Sequence, residues 1–533
     1  MDKQQRSILW YLIGAALVLF LFLALPNQTG ARDINMLSIF EVDEFAQYPH
    51  VLDMLTPGDS AYQTLRNFLI YQHYFYGFPF YFVSALALLP AKLALGAGWA
   101  QHTTLLVTIL RQMVNVLPML AALIIWVYLQ TRFHSHWRSL ALFALLAIVP
   151  AVVLNNLWWH HDSLAFLLVT LVFFFLDRDR LRFGWNFILA GLVCGVAVSV
   201  RYAGAFFALA VPLYLVWGVV GKHIKPARGL LMGGAFVLVM ALGLAGSNPL
   251  LLLPQERAEI IATQQLQFQQ TGRGIILASE PTLAGWQGYP QDLQVHYGDL
   301  LFVLLAGVGL ALGLRDRAKR LHHSLLLAYL IPITAVTLAS ATGRTHYYLP
   351  ILLPLFSCLI NIFDDNILTS LRTIERGLVW LTAAVITVQA VLFLQTDYKL
   401  LNQQLTRERN SPSIQFYQQV AETGLPVLDR RLAVYRDWKA YVPDIPAYRV
   451  EMDWNLGSYD MVANIDPDLI LLEQENIDLF SSQEALQRAA EPEVMQARHA
   501  FYSDAAAGEL RGYHLLYRND FGAAFISDAF TSE

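Results

Sequence analysis

Three acidic residues, Glu41, Asp43 and Glu44, stand in the stretch SIFEVDEFAQYPH, directly after the first apolar run of membrane length. A carboxylate beside a bilayer is costly unless it has a task. Held rigidly at headgroup level, one can take a proton from a hydroxyl group. A second carboxylate, Asp162 in NNLWWHHDSLAF, sits at the end of another apolar run with His160 and His161 before it. Imidazole and carboxylate together can ligate a divalent ion. Adjacent histidines on a helix point apart, so His160 and His161 are not expected to share one. The candidate metal set is Asp43, Asp162 and His161, for Mg, Mn or Zn. Arg201 in SVRYAGAFF, and Arg344 and His346 in GRTHYYLPILLP, also lie at ends of apolar runs. Arginine offers paired donors to phosphate. His73 opens the aromatic segment YQHYFYGFPFYF and completes the candidates.

Each candidate also has a plain structural reading. Phe45, Tyr48, Leu52 and Leu55 recur as one stripe of a helix that begins near Asp43, which makes Asp43 an N-cap. Asp162 reads as a second N-cap, flanked by interfacial Trp158 and Trp159. The arginines read as snorkelling to lipid phosphate, and His73 as part of a membrane anchor.

What must position these groups is a membrane bundle. The chain has 533 residues, of which 56% are hydrophobic and 14% charged, and its mean hydropathy is +0.44. About a quarter of a soluble domain is charged. The net charge of −5 argues for no nucleic-acid partner. Cys194 and Cys358 both fall in apolar runs, so no disulfide framework is expected. The run from Ile8 to Pro26 reads as a retained signal anchor.

Candidate spans are 8–26, 104–129, 139–157, 163–176, 185–200, 204–220, 229–250, 299–314, 324–340, 348–363 and 378–395, an all-α bundle of about eleven transmembrane helices. With the N-terminus in the cytoplasm, the cytoplasmic loops QTRFHSHWR, DRDRLRF, GKHIKPAR, RDRAKRLHH and LRTIERG are all basic. The short external ones, NNLWWHHD, VRYAG and SATGRTHYY, carry at most one arginine each. This holds only if the apolar segment 74–91 lies at the outer interface without crossing. Two external loops, about 27–103 and 251–298, belong to a membrane domain 1–396. Residues 397–533 read as a small external α/β domain, with strands in PVLDRRLAVY, DLILLEQ and GYHLLYRND and a helix in SSQEALQRAA. Asp466-Pro467-Asp468 precedes an apolar strand instead of following one, and is rejected as a metal motif. No P-loop, G-x-S-x-G or H-E-x-x-H occurs.

The order of motifs resembles the GT-C superfamily of polytopic glycosyltransferases, nearest its protein-mannosyltransferase and aminoarabinose-transferase-like branch. EVDEFAQY is similar to that group's D-E motif. HHDSLAFLL is similar to its H/R-P-D-x-L motif, with His161 replacing the usual proline. RTHYYLPILLP resembles its R-x-x-Y-x-L-P turn, and VRYAGAFF a segment where many members carry Thr-Lys. The likeness covers roughly the first 360 residues. It implies a GT-C fold in a prokaryotic plasma membrane, with the site and the C-terminal domain outside. It implies transfer of a monosaccharide from a polyprenyl-phosphate donor to a lipid, glycan or protein hydroxyl, with inversion. Asp43 would be the general base, supported by Glu44. Asp162 would assist, and Arg201 and Arg344 would neutralise the leaving phosphate. The alternative reading is a transporter or lipid flippase, which would place polar groups nearer the bilayer midplane and show internal repeats.

Overall fold

The computed structural model describes residues 2–273, 291–340, 344–363, 373–425, 429–454 and 456–530. Leu371 and Arg372 of the loop LRTIERG and residues 274–290 of the 251–298 loop lie outside them. Among the described residues, eight helices are individually long and apolar enough to cross a membrane, or nine if the bent pair Gln291–Tyr297 and Leu300–Arg315 is one span. Three further passes fail that criterion for visible reasons. One is broken between His136–Ala147 and Pro150–Asn155, where Pro150 cannot continue a helix. A second, Asp162–Asp179, carries charges at both ends. The third, Trp185–Val200, is 16 residues long.

One long apolar helix starts and finishes at the same end of the bundle. Phe78–Leu95 has both ends tied to the same end of the bundle. At its start, Gly77 approaches the Ser199 carbonyl so closely that a Cβ would overlap it, and Ser199 is two residues from Arg201. Beyond its end, Thr104 donates to the Ala31 carbonyl (2.9 Å). Arg111 donates to the carbonyls of Asn27 (2.8 Å) and Thr29 (2.9 Å). Asn27 donates to the Asn156 carbonyl (3.0 Å), close in sequence to His160. Both ends of the helix are therefore at one end of the bundle, which is compatible with the interfacial position that the charge pattern of the loops requires. With it set aside and the three shorter helical segments included, the described residues offer eleven candidate passes, the number expected. The basic turns at 132–138, 178–182, 222–228 and 315–320 then share the opposite end. Gln5 near the N-terminus joins them there through the Arg132 carbonyl (2.9 Å).

The last pass, Thr373–Thr406, leads into a domain with a mixed five-stranded sheet. Its strands are β1 (Leu432–Arg436), β2 (Tyr448–Glu451), β3 (Leu469–Glu473), β4 (Tyr513–Arg518) and β5 (Gly522–Ser527), in the order β2-β1-β3-β5-β4. β1 pairs in parallel with β2 and β3, while β5 is antiparallel to β3 and β4. β1 and β3 are buried at every position, which explains their unbroken apolar runs. β2 and β5 escaped the sequence reading: β2 is short and polar, and β5 is small-residue-rich. Asp468 of the rejected D-x-D pairs with Arg430 and accepts from the Ala433 amide (2.8 Å), a structural role.

This domain docks on the loop that follows the first helix. Tyr441 donates to Asp33 (2.9 Å). The fully buried Arg436 lies over the Phe45 ring and donates to Asn35 (3.3 Å). Arg407 and Glu408 hold Glu41 and the Gly30 amide. Gly30 has a positive φ of 69°, and a Cβ there would run into the Arg407 guanidinium, so glycine is required on both grounds.

At the carboxyl ends of β1 and β3, two buried acids meet. Asp437 accepts from Tyr502 (2.7 Å), the Glu473 amide (2.9 Å) and Asn476 (3.1 Å). Glu473 accepts from the Lys439 amide (2.7 Å). Burial pushes Asp437 up to about 6. Burial and the neighbouring Asp437 push Glu473 up to about 7. Both folded values exceed the unfolded ones. This contribution to stability is therefore complete below about pH 4 and is lost as pH rises through about 7. Glu473→Gln keeps a carbonyl acceptor and removes the charge. The domain, followed by tryptophan fluorescence on heating, should then lose part of its pH dependence between about pH 5 and pH 8. It should gain about 2 kcal/mol at the upper end. An unchanged pH slope would contradict the upward push on the Glu473 carboxyl.

Candidate active site

Asp43 lies in the first turn of Val42–Leu55, whose N-cap position belongs to Glu41. Asp162 begins Asp162–Asp179, with His161 at the cap position. Neither aspartate makes a capping bond, which corrects the N-cap reading of both. Four loops or helix ends bring them together. His160 lies between them: its Nδ1 meets Asp162, and its Nε2 is 4.0 Å from Asp43. Arg344 Nη1 is 3.8 Å from Asp43. Arg201 contacts Asp162 and lies over the Tyr347 ring at 4.5 Å. His346 Nε2 is 3.9 Å from Asp162.

The arrangement is graded in exposure. Asp162 is 5% exposed and ringed by cations and imidazoles, whereas the Asp43 side chain is 32% exposed and Arg344 50%. Asp43 and Arg344 thus form the open rim, and Asp162, His160 and His346 the floor. Burial, reinforced by Arg201 and Arg344 against the opposing charge of Asp43, holds His160 down at about 3. Its imidazole is neutral at physiological pH and able to act as a ligand.

Glu44 does not join this cluster. It is fully buried, accepts from Arg111 Nε (2.7 Å) and Nη2 and from the Trp159 amide (2.5 Å), and so ties the helix bearing Asp43 to the loop bearing His160. Arg111 sits in a π-helical turn, Arg111–Val116, of the kind often kept at functional sites. His73 bonds Tyr81 (2.5 Å), and its ring lies 5.8 Å from that of Tyr76, one layer behind the cluster.

The two adjacent histidines converge. His160 lies in the loop ahead of the helix, so the helical argument that they point apart fails, and their ring centroids are 4.0 Å apart. His160, His161 and Asp162 can each offer a ligand atom within 4.8 Å of the others. His161 Nδ1 is buried without a hydrogen-bond partner among the described residues. The buried set could hold a divalent ion, and two nitrogens with one carboxylate suit zinc or manganese. Asp43 is not part of this three-residue group.

Three contributors escaped the sequence reading. The Tyr76 hydroxyl lies 3.0 Å from His160 Nε2. Trp158 stacks on His160 at 4.2 Å. Tyr347 carries Arg201. Trp158 and Tyr347 adjoin motif residues, which was the signal available. Tyr76 lay hidden in an aromatic run read as an anchor.

Solved structures similar to this chain include two from other organisms. One is ArnT from Cupriavidus metallidurans bound to undecaprenyl phosphate, 12% identical, covering 97% of each chain with a TM-score of 0.49. The other is an oligosaccharyltransferase from Archaeoglobus fulgidus in complex with zinc and sulfate. It is 13% identical, covering 86% of this chain and 65% of that one with a TM-score of 0.45. No protein-family model matches the chain, and no curated protein does.

Proposed function

We propose that the protein is an integral-membrane glycosyltransferase that moves a monosaccharide from a polyprenyl-phosphate donor to an acceptor hydroxyl. The observation that carries this reading is the meeting of an open carboxylate, Asp43, with guanidinium groups at one end of a helical bundle. A breaking sugar–phosphate bond leaves negative charge on the phosphate, and fixed cations stabilise it. Arg344 and Arg201 supply that charge, with His346 beside them. Asp43 takes the acceptor proton, the acceptor oxygen bonds the anomeric carbon, and the phosphate leaves with the bonding pair. A single displacement inverts that carbon. Asp162 holds Arg201, and Glu44 positions the helix without touching substrate.

His160, His161 and Asp162 would hold the divalent ion. When bound, it would add positive charge beside the leaving phosphate. The flat helix Phe78–Leu95 and its aromatic approach form the bilayer-side margin through which a lipid-borne donor reaches the rim. The site end is the extracytoplasmic face on this reading, because the basic turns lie at the other.

The test is incubation of purified protein with a panel of labelled polyprenyl-phosphate sugars and membrane extract, with mass spectrometry of products. Parallel reactions contain chelator, or added Mg, Mn or Zn. Transfer from at least one donor is expected. Lipid movement without any glycosylated product would favour the transporter instead. Full activity in chelator would remove the metal from the scheme.

A further inference from the structure

The helix Asp162–Asp179 spans about 27 Å at 1.5 Å per residue. A second feature occupies its far end, independent of the reaction chamber. A groove of about 390 Å³ opens there between the first helix, the helix Leu117–Thr131 and the end of Asp162–Asp179. That volume lies within the range of small-ligand sites. Its walls are apolar, with Leu9, Ile124 and Phe174 among them, and its mouth carries Arg178, Arg180 and Arg182.

The local fold aims these arginines outward. Among the described residues, the only carboxylate lining the groove, Asp177, is already neutralised by a two-pronged contact with Arg132 (2.5 Å on each prong). Asp179 turns inward and accepts from the Phe183 amide (2.8 Å), the Gly184 amide (2.8 Å) and Tyr214 (2.6 Å). That anchorage holds Arg180, Leu181 and Phe183 at positive φ. Arg178, Arg180 and Arg182 are exposed and make no ion pair among the described residues.

We infer that this groove binds an anionic phospholipid, one acyl chain along the apolar walls and the phosphate at the three arginines. Charge selects the occupant. Three unpaired guanidinium groups over a bilayer-facing apolar slot fit a net-negative amphiphile and repel the ammonium of a zwitterionic one.

The test uses the full chain in nanodiscs containing phosphatidylglycerol and phosphatidylcholine, with native mass spectrometry counting retained lipid. The expected result is one strongly retained phosphatidylglycerol. Removing all three arginines (R178Q/R180Q/R182Q) should lower retention by about fivefold per arginine. Leu9→Trp, which fills the slot and leaves every charge in place, should also release the lipid. The control K222Q/K225Q/R228Q removes three exposed basic residues at the same end of the bundle and should retain it. Equal loss in the control and the arginine variant would reduce the effect to general surface charge and overturn the inference. So would retention of phosphatidylglycerol by Leu9→Trp, or no preference in the wild type.

Discussion

Asp43→Asn should abolish sugar transfer while leaving the fold intact. The substitution keeps shape and hydrogen bonding but removes the base, which is worth about 10²- to 10⁴-fold in rate, or about 3–5 kcal/mol of barrier. The side chain is about a third exposed and makes only long ion contacts, at 3.8 and 4.0 Å. Its loss should therefore change stability by less than about 0.5 kcal/mol. The measurement is initial transfer rate beside the melting temperature in detergent. A rate within about threefold of wild type would remove Asp43 from the chemistry. Asp162→Asn is a poorer probe. Asp162 is buried against Arg201, His160 and His346, so neutralising it disturbs packing and activity together.

Arg111→Leu should be the most destabilising single change in the membrane domain. It leaves the Glu44 carboxylate at zero exposure without its cation. Breaking one side of a buried pair costs about 3–5 kcal/mol. The carbonyls of Asn27 and Thr29 lose a donor as well. The double variant Arg111→Leu with Glu44→Leu should recover part of the loss, and the cycle measures the pair's coupling. Thermal unfolding of all four proteins in detergent decides the matter. Additive losses would mean that the two side chains are energetically separate. Glu44→Gln should also slow transfer although it meets no substrate, because Glu44 joins Asp43's helix to the Trp159 amide next to His160.

The contrast between these two pairs shows what the sequence disclosed. Asp43, Asp162, Arg201, Arg344 and His346 were legible because each stands at the end of an apolar run, where a charge is conspicuous. The bundle was legible for the same reason, since alternating loop charge orders the passes. Arg111 was not: it sits inside a run that reads as one span, and its partner is 67 residues away. Tyr76 met His160 across 84 residues, and no local pattern reports such a contact. The convergence of His160 and His161 was missed because the reading assumed a helix through both, while the helix starts one residue later. In the soluble domain, β1 and β3 declared themselves by continuous burial, whereas β2 carries too few apolar residues to be read.

The clasp of Arg407 and Glu408 on Glu41 and Gly30 bears on biosynthesis. Glu41 is forced up to about 8 by burial and by Glu44, and Arg407 is the largest influence against that. Arg407 is among the last parts of the membrane-associated chain to emerge from the ribosome, long after residues 41–44 have reached their surface. Until then the loop bearing Asp43 is held through Glu44, by Arg111 and the Trp159 amide, and not yet through Glu41 and Gly30. The setting of the Asp43 loop is thus completed only after the final pass, Thr373–Thr406, has been made.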